Sequence, residues 1–189
     1  MSLIVAYDPA WERRGLELAA EIRSLLGPLA LRVEHIGSTS IPGMAAKPVF
    51  DLQVSVAGLD AAAAAFDGPL AGFGLDRRPY DSDHVPAGYD DPPSLWVKRY
   101  WNGFAGEAGG ERINLHCRLA GSPNERLALL FRDWFRAHAL AVPAYASFKE
   151  SLASAVDDDV EVYTDVKDPV VDLVVAVAEE WAAATGWTP

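Results

Sequence analysis

The stretch HIGSTSIPGMAAKPVFDLQV, which runs from His35 to Val54, contains the side chains best suited to chemistry. It includes a turn of small polar residues after a strand-like segment, Gly37-Ser38-Thr39-Ser40. A turn of this kind between a strand and a helix presents backbone N–H groups that bind phosphate or another anion. Hydroxyl groups add further donors, although the same residue types also cap ordinary turns. We therefore expect the turn to lie at the N-terminus of a helix and to be a candidate anion site, which needs support from its neighbours.

Three charged or titratable residues surround this turn. His35 comes just before it, Lys47 follows it, and Asp51 lies inside the next apolar run. A carboxylate on a central strand is costly to bury unless it is paired or binds a metal ion. Alternation places Gln53 on the same polar face as Asp51. This face is the predicted location of a functional site.

A second polar face follows from the later segment ERINLHCRL. Its polar residues alternate with apolar ones and are Arg112, Asn114, His116 and Arg118. Alternation with period two assigns each set to one side of its strand. We therefore expect Asp51, Gln53 and His116 to lie on one face of a shared sheet.

Hydrophobic periodicity and end signals predict the elements that position these residues. The predicted strands are LRVEHI, VFDLQVSV and the two arms of a hairpin, SLWVKRYW and ERINLHCRL, and residues 78 to 93 form a long loop. The first two predicted helices run from about residue 9 to 26 and from Asp60 to Leu70. A capping box at Ser122 to Glu125 precedes a third helix, RLALLFRDWFRAHA. A fourth helix starts at Pro143 and continues through YASFKESLASA, and a fifth starts at Thr164 or Asp165. This order of elements predicts one α+β domain, residues 1–189, with a helical C-terminal part.

Polar residues on the C-terminal helices could close a pocket over the predicted sheet. The candidates are Arg132, Lys149, Tyr163 and Lys167. The alternative is that Arg132 and Lys149 form surface ion pairs with neighbouring acids, which contribute little to function. Helical spacing also predicts a buried apolar stripe on the last helix, formed by Val166, Val170, Val174, Val177 and Trp181.

Composition limits the class of partner. The chain has 27 acidic and 16 basic residues and a formal net charge of −11, so its overall field gives non-specific nucleic-acid or anionic-membrane binding no support. No apolar run approaches the roughly 20 residues that a spanning helix needs. The single cysteine, Cys117, has no partner for an internal disulfide, which favours a cytoplasmic location. We expect a small phosphorylated ligand rather than a polymer or a membrane.

Five separated motifs resemble one known family. VEHIGSTSIPGMAAKPVFDLQVSV, INLHCRL, FRDWFRAHA, YASFKE and VYTDVKD together resemble the GrpB family, which is assigned to the nucleotidyltransferase superfamily. The resemblance implies a nucleotidyltransferase-like mixed β-sheet packed with α-helices. In such enzymes a Gly-Ser turn holds the nucleotide, and several carboxylates bind divalent metal ions such as Mg²⁺ or Mn²⁺. Gly37 and Ser38 match the turn, and Asp51 matches the first carboxylate and candidate metal ligand.

The rest of that metal-binding pattern is missing from the sequence. Gln53 stands where a paired carboxylate is expected, and the later strand offers Asn114 and His116 instead of an acid. Amide and imidazole groups are poor substitutes for the oxygen ligands of Mg²⁺. A single aspartate cannot hold the usual pair of metal ions.

Two functions remain open at this point. The first is an enzyme that binds a nucleotide or another phosphorylated small molecule and transfers a nucleotidyl group with altered metal use, with Asp51 and His116 as catalytic residues. The second is a non-catalytic nucleotide-binding or regulatory module. Chains that resemble this one and are fused to dephospho-CoA kinase imply that such a module is linked to coenzyme A metabolism.

Overall fold

The computed structural model describes residues 3–106, 110–157 and 159–189. Within these ranges the chain forms a mixed β-sheet and a set of α-helices that lie on both of its faces. The strands are β1 (Arg32–Ile36), β2 (Val49–Val56), β3 (Leu75–Arg78), β4 (Lys98–Phe104) and β5 (Arg112–Leu119). The helices are α1 (Ala10–Leu26), α2 (Leu59–Phe73), α3 (Pro123–Ala137), α4 (Ala141–Ala155) and α5 (Val160–Thr185). The α+β class predicted from the sequence is confirmed.

The strand order in the sheet is β1-β2-β5-β4-β3. Strands β2 and β5 are parallel, whereas every other neighbouring pair is antiparallel. The parallel pairing sets Asp51 opposite Asn114 and Gln53 opposite His116. Opposed residues point to the same side of a sheet, so the expected shared polar face is confirmed.

The two faces of the sheet differ in chemistry. One face carries the apolar side chains of β2 and β5, such as Leu52 and Leu115, and packs against α1 and α2 in the main core. The opposite face carries the polar residues and lies towards α3, α4 and α5, which share a second core around Met44 and Phe135. This division explains the alternation in the sequence, because each strand contacts an apolar layer on one face and a polar layer on the other.

Several predicted boundaries are confirmed. Helix α1 starts where Asp8 Oδ1 accepts a hydrogen bond from the Ala10 amide, and it ends at Gly27, whose φ is +65°. The hairpin of β4 and β5 also forms as expected. None of the helices in the described part of the chain is long and apolar enough to cross a membrane.

Other boundaries differ from the prediction. Strand β3 was not predicted, because its four residues are mostly charged and exposed at the edge of the sheet. Helix α4 starts two residues before Pro143, and α5 starts at Val160 rather than at Thr164 or Asp165. Proline is tolerated within the first turn of a helix, so Pro143 did not mark the boundary itself.

The capping box predicted at Ser122 to Glu125 does not form. The Ser122 hydroxyl faces two acceptors, the Leu119 carbonyl at 2.7 Å and Asn124 Oδ1 at 2.6 Å, and accepts no hydrogen bond from the helix. The Glu125 carboxylate accepts from the Gly121 amide, from Ser55 and from Arg32. Glu125 therefore ties the start of α3 to strands β1 and β2.

Candidate functional site

A cavity of about 540 Å³ lies between the polar face of the sheet and helices α3, α4 and α5. The turn that starts at Gly37 forms one wall, and the loop of residues 79–92, here called the cover loop, contributes Ser82, Asp83 and His84. Pockets of roughly 300–1,000 Å³ are typical of small-molecule sites. Several of the residues that the sequence singled out therefore line a cavity of the size typical for a small-molecule site.

The turn itself is a single turn of 3₁₀-helix over Ser38–Ser40. The expectation that it precedes a full helix is wrong, because an irregular segment leads from it to β2. The amides of Ser40 and Ile41 donate to carbonyl groups of the turn, at Gly37 and Ser38. Without a long helix behind it, the turn has no helix macrodipole to favour an anion.

The turn packs directly on Asp51. Gly37 has a φ of +69°, and a Cβ atom placed on it would lie 2.4 Å from Asp51 Oδ2. Only glycine satisfies both the left-handed backbone and this close approach. The Gly-Ser pair in the sequence thus sets the position of the carboxylate as well as the path of the chain.

Asp51, Asn114 and His116 form a polar cluster at the cavity wall. Asp51 Oδ1 accepts from Asn114 Nδ2 at 2.8 Å and lies 3.8 Å from His116 Nε2. Burial opposes ionisation of Asp51, but the interactions with His116 and Asn114 outweigh it and lower the pKa of the carboxyl group. Burial lowers the pKa of His116, against the effect of its contact with Asp51. Near neutral pH the pair is therefore an aspartate beside a neutral imidazole.

Lys149 reaches the turn from α4. Its Nζ donates to Ser38 Oγ at 2.9 Å, and the residue is only 2% exposed. Burial, assisted by the nearby charge of Lys167, lowers the pKa of Lys149 to about 7. The alternative of a surface ion pair with Glu150 is wrong for this residue. Lys149 is instead a buried amine at the wall of the cavity.

Three more of the predicted residues line the cavity. Lys47 Nζ lies 4.2 Å from the centre of the Tyr163 ring, a cation–π contact. Lys167 Nζ lies 3.4 Å from the carboxylate of its neighbour Asp168. Burial raises the pKa of Tyr163 to about 12, so its hydroxyl group stays protonated. Lys47 and Lys167 thus place two positive charges at the wall of the cavity, beside the neutral Tyr163.

Two predicted residues, His35 and Thr39, form hydrogen bonds that support the turn. His35 lies on the apolar face of β1, opposite Leu52, and its Nε2 is 2.9 Å from Thr39 Oγ1. Burial lowers the pKa of His35 to about 4, so the ring is neutral and can donate to Thr39. Thr39 Oγ1 donates in turn to the Val49 carbonyl. Thr39 contributes to the cavity wall, but its hydroxyl group is occupied.

The remaining candidates lie away from the cavity. Ser40 Oγ donates to the Gly37 carbonyl, and Gln53 is buried between Arg118 and the Glu125 carbonyl. Arg112 is exposed at the start of β5 and does not line the cavity. Arg132 pairs with Glu34 and Asp133, so the ion-pair alternative describes this residue well. These four residues are structural neighbours of the site.

Sequence reasoning missed a buried charge cluster centred on Asp83. This carboxylate accepts hydrogen bonds from Lys98 at 2.6 Å and from Arg118 at 2.8 Å. Burial opposes its ionisation, but the two cations outweigh burial and hold its pKa far below the usual range. Asn124 Nδ2 also donates to Asp83. The available signal was the polar face of β4, where Lys98 and Tyr100 alternate with Arg99 and Trp101.

The cover loop is fastened to α5 by polar contacts. His84 Nε2 lies 3.0 Å from Asp172 Oδ2, and the Ala87 amide donates to the same oxygen at 3.0 Å. Farther along, the Tyr89 hydroxyl donates to Glu179 at 2.7 Å. The loop was predicted to be long and irregular, and its role is to close one side of the cavity.

The described residues do not fit a two-metal centre. No group of three or more His, Cys, Asp or Glu side chains in the described ranges could hold a metal ion. Asp51 is flanked by an amide and an imidazole, and Asp83 is neutralised by two cations. Hard divalent ions such as Mg²⁺ require several oxygen ligands that converge on one point. The bridging carboxylates that two-metal phosphoryl transfer uses are therefore missing from this arrangement.

Comparisons with known proteins identify the family. The model of the family described as GrpB protein matches residues 3–176. The crystal structure of GrpB from Enterococcus faecalis superposes with a TM-score of 0.74 and 26% identity, covering 94% of this chain and 99% of that chain. A chain in the structure of the GLD-2/RNP-8 complex, with a TM-score of 0.54 and 11% identity, shares the fold alone.

Curated relatives come from several bacteria. A UPF0157 protein of Halalkalibacterium halodurans is 34% identical, over 89% of this chain and 77% of that protein. A protein of Mycolicibacterium paratuberculosis named dephospho-CoA kinase is 35% identical, over 98% of this chain and 48% of that protein. The chain thus spans about half the length of the relatives with that name. By its sequence from residue 3 to residue 176 and by its fold, the chain belongs to the GrpB protein family.

Proposed function

We propose that the cavity binds a nucleotide or another phosphorylated small molecule. The observation that carries this proposal is the distribution of lysine. Lys47, Lys98, Lys149 and Lys167 are all the lysines of the chain, and all of them line the cavity. Lysine presents a flexible point charge that suits phosphate groups. In a chain of net charge −11, this clustering creates a local site for an anion.

Lys149 is the central phosphate ligand in this proposal. Its amine is buried and lies at the Ser38 hydroxyl, so both groups point at the same part of the cavity. The amine can donate a hydrogen bond to a phosphate oxygen whether it is neutral or protonated. Apolar wall residues such as Ile36, Leu127 and Phe131 offer a surface for the organic part of the ligand.

The Asp51 and His116 cluster supports a second step, transfer of a nucleotidyl group with altered metal use. Asp51 Oδ1 is held by its neighbours, and the carboxylate faces the cavity close to Ser38. A fixed carboxylate of this kind can accept the proton of an attacking hydroxyl group. As the oxygen of that hydroxyl group bonds to the α-phosphorus, the bond from phosphorus to the pyrophosphate leaving group breaks.

A non-catalytic binding or regulatory module is the second candidate. It is favoured by the lone carboxylate of Asp51, which lacks the acidic partners of a two-metal centre. The dephospho-CoA kinase name of relatives that match this chain over part of their length supports coenzyme A precursors as ligands to test. Both candidates share the same anion site and differ in whether Asp51 acts on the ligand.

The first test measures binding and locates it. ATP, dephospho-CoA and inorganic phosphate are titrated by calorimetry, each with Mg²⁺, with Mn²⁺ and with chelator. An amine-specific reagent followed by mass spectrometry then maps which lysines the bound compound protects. We expect Lys149→Met to weaken binding at least tenfold, whereas Arg13→Met, on the exposed side of α1, should have no effect. Binding without lysine protection, or no binding at all, would contradict the proposed site.

Asp51→Asn separates the two candidates. The substitution keeps the shape of the side chain and removes the acid. If Asp51 accepts a proton in catalysis, turnover of a nucleotide should fall by a factor of about 10² or more. If the cavity only binds, affinity should be unchanged or improved, because a negative charge near the phosphate is gone. Product release and calorimetric affinity, measured on both proteins, decide between these outcomes.

A further inference from the structure

Ser38 differs from the two hydroxyl residues that follow it. Thr39 Oγ1 is occupied by the Val49 carbonyl and by His35, and Ser40 Oγ is occupied by the Gly37 carbonyl. Ser38 Oγ faces an amine, Lys149 Nζ, at 2.9 Å. Ser38 also lines the cavity. Of the three hydroxyl groups in the turn, this one combines access to a ligand with contact to a base.

The surroundings of Lys149 favour a neutral amine. In the described part of the chain no carboxylate lies within ion-pair distance of its Nζ, and the residue is almost fully buried. The charged groups that act on it are Lys167, which disfavours protonation, and Asp51 and Glu150, which favour it. The Tyr145 ring, 5.2 Å from Nζ, covers another side. A buried amine without an ion-pair partner can serve as a general base.

We propose that Ser38 is a nucleophile and that Lys149 is its general base. This inference rests on the proposed function for the electrophile, which is a phosphorus atom of the phosphorylated ligand. In the step, Ser38 Oγ bonds to phosphorus, the bond from phosphorus to the leaving group breaks, and the hydroxyl proton moves to Lys149 Nζ. The leaving group departs with its electron pair. Serine paired with lysine is a known form of activated nucleophile.

The arrangement also stabilises the product of this step. After the proton transfer Lys149 is cationic and lies beside the new anionic phosphoryl group on Ser38. Lys47 and Lys167 line the same cavity and add positive charge where negative charge develops. A covalent intermediate divides one difficult transfer into two steps. This route places less demand on a pair of metal ions than direct attack by an acceptor.

The test uses a fluorophosphonate, which carries an electrophilic phosphorus and releases fluoride when a serine attacks it. The full chain is incubated with the probe, and the adduct is located by peptide mass spectrometry. We expect one adduct, on Ser38, and a labelling rate that rises about tenfold per pH unit below pH 7 and levels off above it. Ser38→Ala, Lys149→Met and Lys149→Arg should each lose the adduct. Ser24→Ala, an exposed serine on α1, should keep it.

Lys149→Arg is the decisive variant, because arginine retains a positive charge but cannot act as a base near neutral pH. An adduct that persists in Lys149→Arg overturns the role of Lys149, and the absence of an adduct on the folded wild-type chain overturns the whole inference. If calorimetry shows that ATP or dephospho-CoA binds while no adduct forms, the role of Ser38 as a nucleophile is rejected and the proposed function stands. If the adduct forms and no phosphorylated compound binds, the serine and lysine pair stands and the proposed function fails.

Discussion

At the scale of single residues, Gly37 joins two requirements of the site. Its backbone is in the left-handed region, and its missing side chain leaves room for the carboxylate of Asp51. The sequence showed a glycine in a turn, which by itself is common. The second requirement depends on a residue 14 positions later, so it could be recognised only once β1 and β2 were paired.

Gly37→Ala should therefore weaken both the fold and the site. A Cβ atom 2.4 Å from Asp51 Oδ2 must displace the carboxylate, and alanine at φ +69° is strained by about 1–2 kcal/mol. Urea unfolding should show a loss larger than that, together with loss of ligand binding. Gly88→Ala is the matched control, because Gly88 has a φ of +90° with no atom within 4 Å of the added Cβ. Equal effects of the two substitutions would contradict the proposed contact.

Lys149 should make stability depend on pH in a defined window. Its pKa is about 7 in the folded chain and about 10.5 when unfolded, so the unfolded chain binds more protons between these values. Burial of Lys149 therefore lowers the free energy of unfolding by its full amount below about pH 7, and this destabilisation decreases as the pH rises towards 10.5. Lys149→Met should stabilise the protein by a few kcal/mol at pH 6.5 and by much less at pH 10. Equal gains at both pH values in urea unfolding would argue against the lowered pKa.

At the scale of elements, the contact between α1 and β1 depends on a second glycine. A Cβ atom on Gly15 would lie 2.0 Å from His35 Nδ1, so α1 can approach the sheet only because residue 15 has no side chain. This close approach fixes the His35 ring, which supports Thr39 in the turn. A remote helix thus positions one wall of the cavity.

Gly15→Ala should destabilise the chain although alanine favours helices. Overpacking against a buried ring costs about 1–3 kcal/mol and exceeds the gain in helix propensity. Gly72→Ala, in α2, has no atom within 4 Å of the added Cβ and should stabilise by about 0.5–1 kcal/mol. Both values come from chemical denaturation. Stabilisation by Gly15→Ala would show that the helix can move away from β1 at no cost.

The sequence predicted most helices and strands, but not in every case which of their faces is buried. Helical spacing placed Val166 and Val177 in a buried stripe, yet both are about half exposed, while Tyr163, Val175 and Ala178 are buried. Val170, Val174 and Trp181 of the same stripe do pack against buried clusters, but apolar periodicity does not specify which of two apolar sides of a helix meets a neighbour. The alternation in β2 and β5 gave the correct faces, because a period of two leaves only two choices.

At the scale of the whole molecule, the cover loop and α5 contact each other at one side of the cavity. Asp172 contacts His84 and accepts a hydrogen bond from the Ala87 amide, so it holds this part of the loop against α5. The sequence predicted a long loop over residues 78 to 93. The identity of this attachment could not be predicted, because Asp172 is 85 residues from Ala87 in the sequence.

Asp172→Ala should release the loop while leaving the sheet intact. The Ala87 amide loses its acceptor, so hydrogen exchange across residues 84–90 should become faster, and a bound ligand should dissociate several-fold faster. Asp165→Ala, at an exposed position on the same helix, is the control and should change neither rate. Unchanged exchange in the Asp172 variant would mean that other contacts hold the loop.

The parallel pairing of β2 with β5 has a consequence for the order of folding. Asp51 and Asn114 are 63 residues apart, so the cluster cannot form from local chain segments such as the hairpin of β4 and β5. Closing such a long loop is entropically costly and is completed late in folding. Partly folded chains should therefore have native-like hairpin and helices but no assembled cavity. A nascent or damaged chain would then be unable to capture the ligand before its sheet is complete, which links function to the quality of folding.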